Sequence, residues 1–344
     1  VKFLLIKSGH IGDALIMTPA LHLLRQRFPE AQIDVAVRRG TEGVLEANPD
    51  LDRLFLLPRP EKIQRNPREA WADLARLLVG TVGQGYEFAF DFTGSDRAGT
   101  QMHLALAQQR CATNAYGELR NTHPYNCFST FPWRMQHQVL KDFRLVTDAL
   151  RMEAQPGPLV IYTDDLPRAL LAHKFEFLRD DTPFAMIHPI SRWAFKQWLP
   201  GRWAQVADRL VAEHGLRVIF TCGPSPAEHE QIDGILALAK QTHAALKGRG
   251  SLREIAAVYR EARLFCGVDT VAMHLAAAAQ TPTVALFGPS SEWSWSPWQT
   301  RHELALGPCP CKKTRVFECD KSRIYPCMEA ITVGQVMSCV SKLL

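Results

Sequence analysis

Phe3-Leu4-Leu5-Ile6 is a four-residue apolar run between Lys2 and Lys7, the pattern of a short strand buried on both faces in a parallel sheet. A Gly-containing turn follows, and apolar positions then recur at helical spacing over 14–28, so the chain opens as strand, loop and helix. The alternation continues with strands at 33–37, 53–57 and 88–92 and helical stretches at 70–79 and 98–109. Pro156, Gly157 and Pro158 break the periodicity and mark a linker within 151–158. Beyond it the pattern starts again, with strands at 184–188, 217–222, 264–266 and 283–287 and helices at 203–214, 227–240, 252–260 and 270–279. A last helical segment covers 332–344. Such alternation predicts an α/β protein of two Rossmann-like domains, 1–155 and 156–344, facing each other across a central cleft.

A chain of 344 residues suits two domains, and 47% hydrophobic with 22% charged residues excludes a disordered, collagenous or coiled-coil protein. The net charge of +5 divides as +2 over 1–160 and +3 over 161–344, with no basic stripe. Nucleic acid is therefore not an expected partner, whereas anionic small molecules or anionic lipids are. The apolar run at 3–6 is far shorter than a signal-peptide core of about 7–15 residues, and no stretch approaches the roughly 20 needed to span a bilayer. Five of the nine cysteines, Cys111, Cys127, Cys222, Cys266 and Cys339, are scattered singly, as reduced thiols in a cytosolic protein are.

Ligands of open parallel sheets bind beyond the carboxyl ends of the strands, so the residues after each strand carry the candidate chemistry. After the first strand comes Lys7-Ser8-Gly9-His10-Ile11-Gly12-Asp13, which lacks the third glycine of a dinucleotide fingerprint and so disfavours a dehydrogenase. Asp13 reads either as an acid serving the helix dipole or as a general base toward an acceptor hydroxyl. Lys7 steadies that carboxylate or an acceptor anion, or is a strand-end lysine reaching solvent. Gly267 and Asp269-Thr270-Val271-Ala272-Met273-His274 precede and open a helix, whose free N–H groups suit a diphosphate. The plain alternative is a capped helix with His274 in the core. Gly288-Pro289-Ser290-Ser291 forms a turn. Ser191-Arg192-Trp193 leading to Lys196-Gln197-Trp198 puts two cations and a hydroxyl in one loop, and Asp91 to Arg97 ends another strand in polar groups.

Together these pieces resemble glycosyltransferase family 9, the heptosyltransferases. The resemblance runs from residue 2 to about 298. It rests on Lys7 to Asp13 with Thr18-Pro19-Ala20-Leu21 and Phe28-Pro29, then Lys196-Gln197-Trp198, Gly223-Pro224 with Glu228, Gly267 to Thr270 with His274-Leu275-Ala276, and Ala285 to Pro289. Phe195 to Trp198 and Trp295-Ser296-Pro297-Trp298 look most like the branch that adds heptose III. The family implies a GT-B fold and inversion at the anomeric carbon without a metal. It also implies an ADP-heptose donor on the second domain and a lipid-linked lipopolysaccharide inner-core acceptor on the first. Residue by residue it puts the catalytic aspartate on Asp13 and the donor lysine on Lys196. The diphosphate loop falls on Asp269, Thr270, Val271 and His274, and an acid associated with the ribose on Glu228; their places at strand ends add Ser191, Arg192 and Gly223 as expected donor contacts and Lys7, Gly12, Asp91 and Arg97 as expected acceptor contacts. Many relatives carry Gly where this chain has Val271, which requires ordinary helix-start geometry there. The open alternatives are a transferase of the same fold using another nucleotide sugar and a non-catalytic nucleotide-sugar-binding protein.

Cys309, Cys311, Cys319 and Cys327 supply enough thiols for a structural zinc, or are reduced thiols in a Lys-rich loop; the reaction itself is expected to need no cofactor. Because the acceptor is lipid-linked, the enzyme is expected in the cytoplasm, peripheral to the inner membrane. Arg59, Lys62, Arg65, Arg68 and Arg76 then read as a segment attracting anionic headgroups or the acceptor's own anions.

Overall fold

The computed structural model describes residues 1–58, 66–314, 319–320 and 322–344. Arg59, Lys62 and Arg65 lie outside the described residues. The chain divides into two compact units, Val1–Tyr162 and Thr163–Leu344, a few residues beyond the breaker-rich stretch. Each unit is built on one six-stranded parallel sheet.

In the first unit the strands are β1 (Lys2–Lys7), β2 (Gln32–Arg38), β3 (Arg53–Leu57), β4 (Phe88–Asp91), β5 (Gln109–Thr113) and β6 (Cys127–Ser129), in the order β3-β2-β1-β4-β5-β6. Phe3 to Lys7 of the central strand are all buried, which is why this strand reads as an unbroken apolar run. The second unit repeats the plan with β7 (Phe184–His188), β8 (Arg217–Phe220), β9 (Ala244–Ala245), β10 (Leu264–Val268), β11 (Thr283–Phe287) and β12 (His302–Leu306). Its order is β12-β11-β10-β7-β8-β9, the same arrangement read from the other edge. Each sheet therefore reverses its winding once, between β1 and β4 and between β7 and β10. At such a switch point the loops after the two central strands diverge and leave room for a ligand.

Several elements differ from the sequence reading. The helix expected over 14–28 is two helices, Ile11–Ile16 and Thr18–Arg27; Thr18 Oγ1 donates to Leu15 O at 2.7 Å, and Pro19 sits in the first turn of the second. The stretch 98–109 is helical only within Asp96–Leu104. Leu106 turns the chain at a φ of 54°, and Gln109 already belongs to β5. The helix expected over 227–240 runs Pro226–Leu236. Strands β6 and β9 have three and two residues, too few for any periodicity to show. The final helix, Val333–Leu343, packs on β11, β12 and the helix Pro200–His214.

Candidate functional site

In the first unit, Ile6 of β1 pairs with Asp91 of β4, which sets the loop after Lys7 beside the loop after Asp91. Ser8 N donates to Thr93 Oγ1 at 3.0 Å and ties the two loops together. Asp13 occupies the first turn of Ile11–Ile16, and its Oδ2 accepts the His10 N–H at 2.6 Å. Gly9 makes this geometry available, since a Cβ there would lie 2.5 Å from Asp13 Oδ2 and 2.6 Å from its Cβ. Among the described residues Oδ1 of the partly exposed Asp13 carboxylate has no hydrogen-bond partner, so one oxygen caps the helix and the other is open to a proton donor. Gly12 is the second residue of the same helix.

Lys7 does not reach solvent. It is 7% exposed, and its ammonium donates to Asp142 Oδ2 at 2.6 Å and to Phe92 O at 3.3 Å. Burial pushes the Asp142 carboxyl up, opposed by the Lys7 charge, and the pair is one in which neither charge stands without the other. Lys7 is thus a buried member of an ion pair. Sequence reading missed Asp142, although a signal existed: the acid stands with Val139, Phe143 and Val146 on the buried face of the helix Gln138–Leu150. Asp91 is buried as well. It is 1% exposed, and its carboxylate accepts from Thr93 N, Ser95 N and the Tyr125 hydroxyl at 2.8, 2.9 and 2.7 Å. These bonds shape the loop after β4. Arg97, exposed, donates to Pro58 O at 2.9 Å.

In the second unit, His188 of β7 pairs with Gly267 of β10 and brings the loops after these strands together. Trp198, 2% exposed, anchors the first loop by donating from Nε1 to Ile331 O at 3.1 Å. Gln197 Nε2 donates to Ser191 O at 2.7 Å, and the Lys196 and Gln197 N–H groups donate to Trp193 O and Ala194 O. This tight turn delivers the Lys196 ammonium to Asp269 Oδ2 at 2.5 Å. Asp269 and Thr270 stand directly before the helix Val271–Ala278, whose first N–H groups have no intrahelical acceptors. Val271 opens this helix and is absent from the positions with left-handed φ. His274 is buried in its second turn and faces the Trp295 ring. Arg192, exposed, lies over the Trp193 ring at 5.5 Å. Glu228 is positioned as Asp13 is: its Oε2 accepts the Gly223 N–H at 2.5 Å, and a Cβ on Gly223 would come within 2.7 Å of that oxygen. The arrangement combines a cation, a carboxylate holding it, and a helix N-terminus at one switch point, which suits an anionic, diphosphate-like group.

Phe195 stacks on Tyr325 at 5.2 Å, so the C-terminal segment packs directly on the lysine loop, a contact no sequence pattern announces. All nine cysteines are unbridged. Burial, with Cys309 beside it, pushes the Cys327 thiol up to about 12. A tetrahedral zinc site needs its ligands gathered around one point, and among the described residues no group of three or more Cys, His, Asp or Glu is so placed.

Nδ1 of His188 lies 3.0 Å from Thr221 Oγ1, and burial pushes the imidazole down to about 4. It is neutral near pH 7 and adds no positive charge at the end of β7. A base whose folded pKa lies below its unfolded value of about 6.5 contributes fully above that pH and loses its contribution as the pH falls toward about 4. Denaturant titrations between about pH 7 and pH 4.5 are expected to show a loss on the order of 2 kcal/mol that His188→Gln removes. Equal slopes for parent and variant would assign the acid sensitivity to other groups.

The description Glycosyltransferase family 9 (heptosyltransferase) matches residues 122–324, more than half of the chain. Lipopolysaccharide heptosyltransferase 3 of Escherichia coli strain K12 is 24% identical over 341 residues, covering 97% of this chain and 95% of that protein. Among solved structures, the glycosyl transferase family 9 protein from Veillonella parvula DSM 2008 matches with a TM-score of 0.80 at 18% identity, covering 99% of this chain and 96% of that one. E. coli ADP-heptose lps heptosyltransferase II matches with a TM-score of 0.77 at 21% identity, covering 100% and 98%. At these identities the structural likeness speaks for the fold, two Rossmann-like units of the GT-B type.

Proposed function

The chain belongs to glycosyltransferase family 9, the heptosyltransferases, and on that premise we propose that it moves a heptose from ADP-heptose to a lipopolysaccharide inner-core acceptor, with inversion and without a metal ion. The observation that carries this reading is the Lys196–Asp269 pair at the head of the helix Val271–Ala278. Lys196 and the first-turn N–H groups take up the negative charge that grows on the departing ADP, the part a divalent cation plays elsewhere. Asp269 holds the ammonium in place. Glu228 meets the ribose hydroxyls, and Ser191, Arg192, Thr270 and His274 complete the donor side. On the acceptor side Asp13 takes the hydroxyl proton as that oxygen forms its bond to the anomeric carbon. The bond from this carbon to the diphosphate oxygen breaks with its electron pair going to ADP, which inverts the centre. Arg97 and the loop at Gly12 border the acceptor. The enzyme works at the cytoplasmic face of the inner membrane; no helix among the described residues is long and apolar enough to cross a bilayer.

A donor screen by mass spectrometry tests this directly, with ADP-heptose set against UDP- and GDP-sugars on a delipidated core acceptor. Transfer from ADP-heptose alone, undiminished by EDTA and giving the inverted linkage by NMR, is expected. Preference for another nucleotide sugar would move the chain to a different donor within the same fold. Loss of activity in EDTA, restored by magnesium with the melting temperature unchanged, would overturn the metal-free mechanism.

A further inference from the structure

The helix Pro67–Thr81 is apolar on two opposite sides. Ala70, Asp73, Leu77 and Thr81 face inward and are buried, and the helix packs on β3. At about 100° per residue, Trp71, Ala75, Leu78, Val79 and the cap residue Val82 share an arc of about 100° on the other side. There Trp71 is 64% exposed, Val79 83% and Val82 44%. The stripe continues onto the next turn. Gly83 N donates to Leu104 O and Gly85 N to Ala105 O, both at 3.2 Å, beside Leu104 and Leu106, which are 43% and 64% exposed. A helix on a water-facing surface ordinarily turns polar residues outward, so a contiguous apolar face with a tryptophan calls for a partner.

The charges beside the stripe indicate which partner. Arg68, exposed in the first turn, has no ion-pair partner among the described residues. The Arg76 side chain is 75% exposed and among the described residues reaches only Asp73, at 3.7 Å, a carboxylate already gripped by Arg39. Two outward arginines flanking tryptophan, valine and leucine match the chemistry of an interfacial helix on an anionic bilayer, where apolar groups enter the headgroup boundary and cations meet phosphates. A second copy of the chain fits less well. A face about 22 Å long and one helix wide, on the order of 500 Å² with Leu104 and Leu106, falls short of the roughly 800 Å² per partner of a stable dimer.

We infer that this face docks the enzyme on an anionic lipid surface, with Trp71, Val79, Val82, Leu104 and Leu106 inserted and Arg68 and Arg76 on headgroup phosphates. The inference deepens the proposed function, since a lipid-linked acceptor is presented at such a surface. Its test uses neither donor nor acceptor, so its failure and that of the transferase reading are separable. The full chain is sedimented at low ionic strength with vesicles of phosphatidylethanolamine and phosphatidylglycerol, and with vesicles of phosphatidylcholine alone. The parent is expected to partition onto the anionic vesicles, and Trp71→Ser with Val79→Ser to lower that partition by about tenfold or more at an unchanged melting temperature. Arg68→Ser with Arg76→Ser should lower it several-fold and flatten its salt dependence, while Trp71→Phe retains it. Parent binding no greater than to phosphatidylcholine, or serine variants that bind as the parent does, would overturn the inference. So would a parent dimer that the serine variant converts to monomer, which would make a second copy the occupant.

Discussion

Asp13→Asn is expected to lower kcat by about two to four orders of magnitude while leaving donor affinity and melting temperature close to those of the parent. The reason lies in the two oxygens. Oδ2 accepts the His10 N–H, and an asparagine carbonyl can accept the same bond, so the cap on Ile11–Ile16 survives the substitution. What is lost is the capacity to take up a proton. A purely structural Asp13 predicts the reverse pattern, a cost of about 1 kcal/mol or less in stability and little change in turnover. Isothermal titration with ADP, thermal melts and kcat against pH separate the two. Lost turnover beside unchanged ADP affinity and melting temperature is the outcome expected of a base. Turnover within tenfold of the parent would remove it from that role.

Lys196→Ala is expected to weaken ADP-heptose binding by about tenfold or more and to slow transfer by a further factor on the order of a hundred. One charge serves both the ground-state diphosphate and the more negative departing group, so the two effects appear together. The variant also strips Asp269 of its partner at 2.5 Å and leaves a carboxylate, 6% exposed, beside the expected diphosphate position. Part of the loss is therefore repulsion. Adding Asp269→Asn to Lys196→Ala should recover some donor affinity without recovering turnover, a non-additivity expected of contacting residues. Arg192→Ala should be milder, because Arg192 is exposed and lies over the Trp193 ring. Unchanged affinity and rate in Lys196→Ala would reduce the loop to solvated surface.

The strand–loop–helix alternation and its restart after the breaker-rich linker were legible in the sequence because both are local. A parallel strand covered on both faces has to be continuously apolar, and a helix lying on it has to repeat its apolar positions about every 3.6 residues. Gly9 and Gly223 were legible only as turn residues at strand ends, and the structure supplies the reason a side chain is excluded there. Each lies where a carboxylate a few residues on folds back over the backbone, and a Cβ would collide with it. The shortest strands were not legible, because β6 and β9 owe their hydrogen bonds to β5 and β8 rather than to any pattern of their own.

Tertiary structure alone decided which strand ends become neighbours. The order β3-β2-β1-β4-β5-β6, repeated in the second unit, sets the loop of Lys7 beside that of Asp91 and the loop of His188 beside that of Asp269. Lys196 meets Asp269 across 73 residues and Lys7 meets Asp142 across 135. The sequence specified the residue types and their places at strand ends, since spacing along a chain controls local geometry. Which of those ends share a site, and which of their charges are already neutralised, depends on long-range strand pairing and on the burial that makes an unpaired charge too costly to leave.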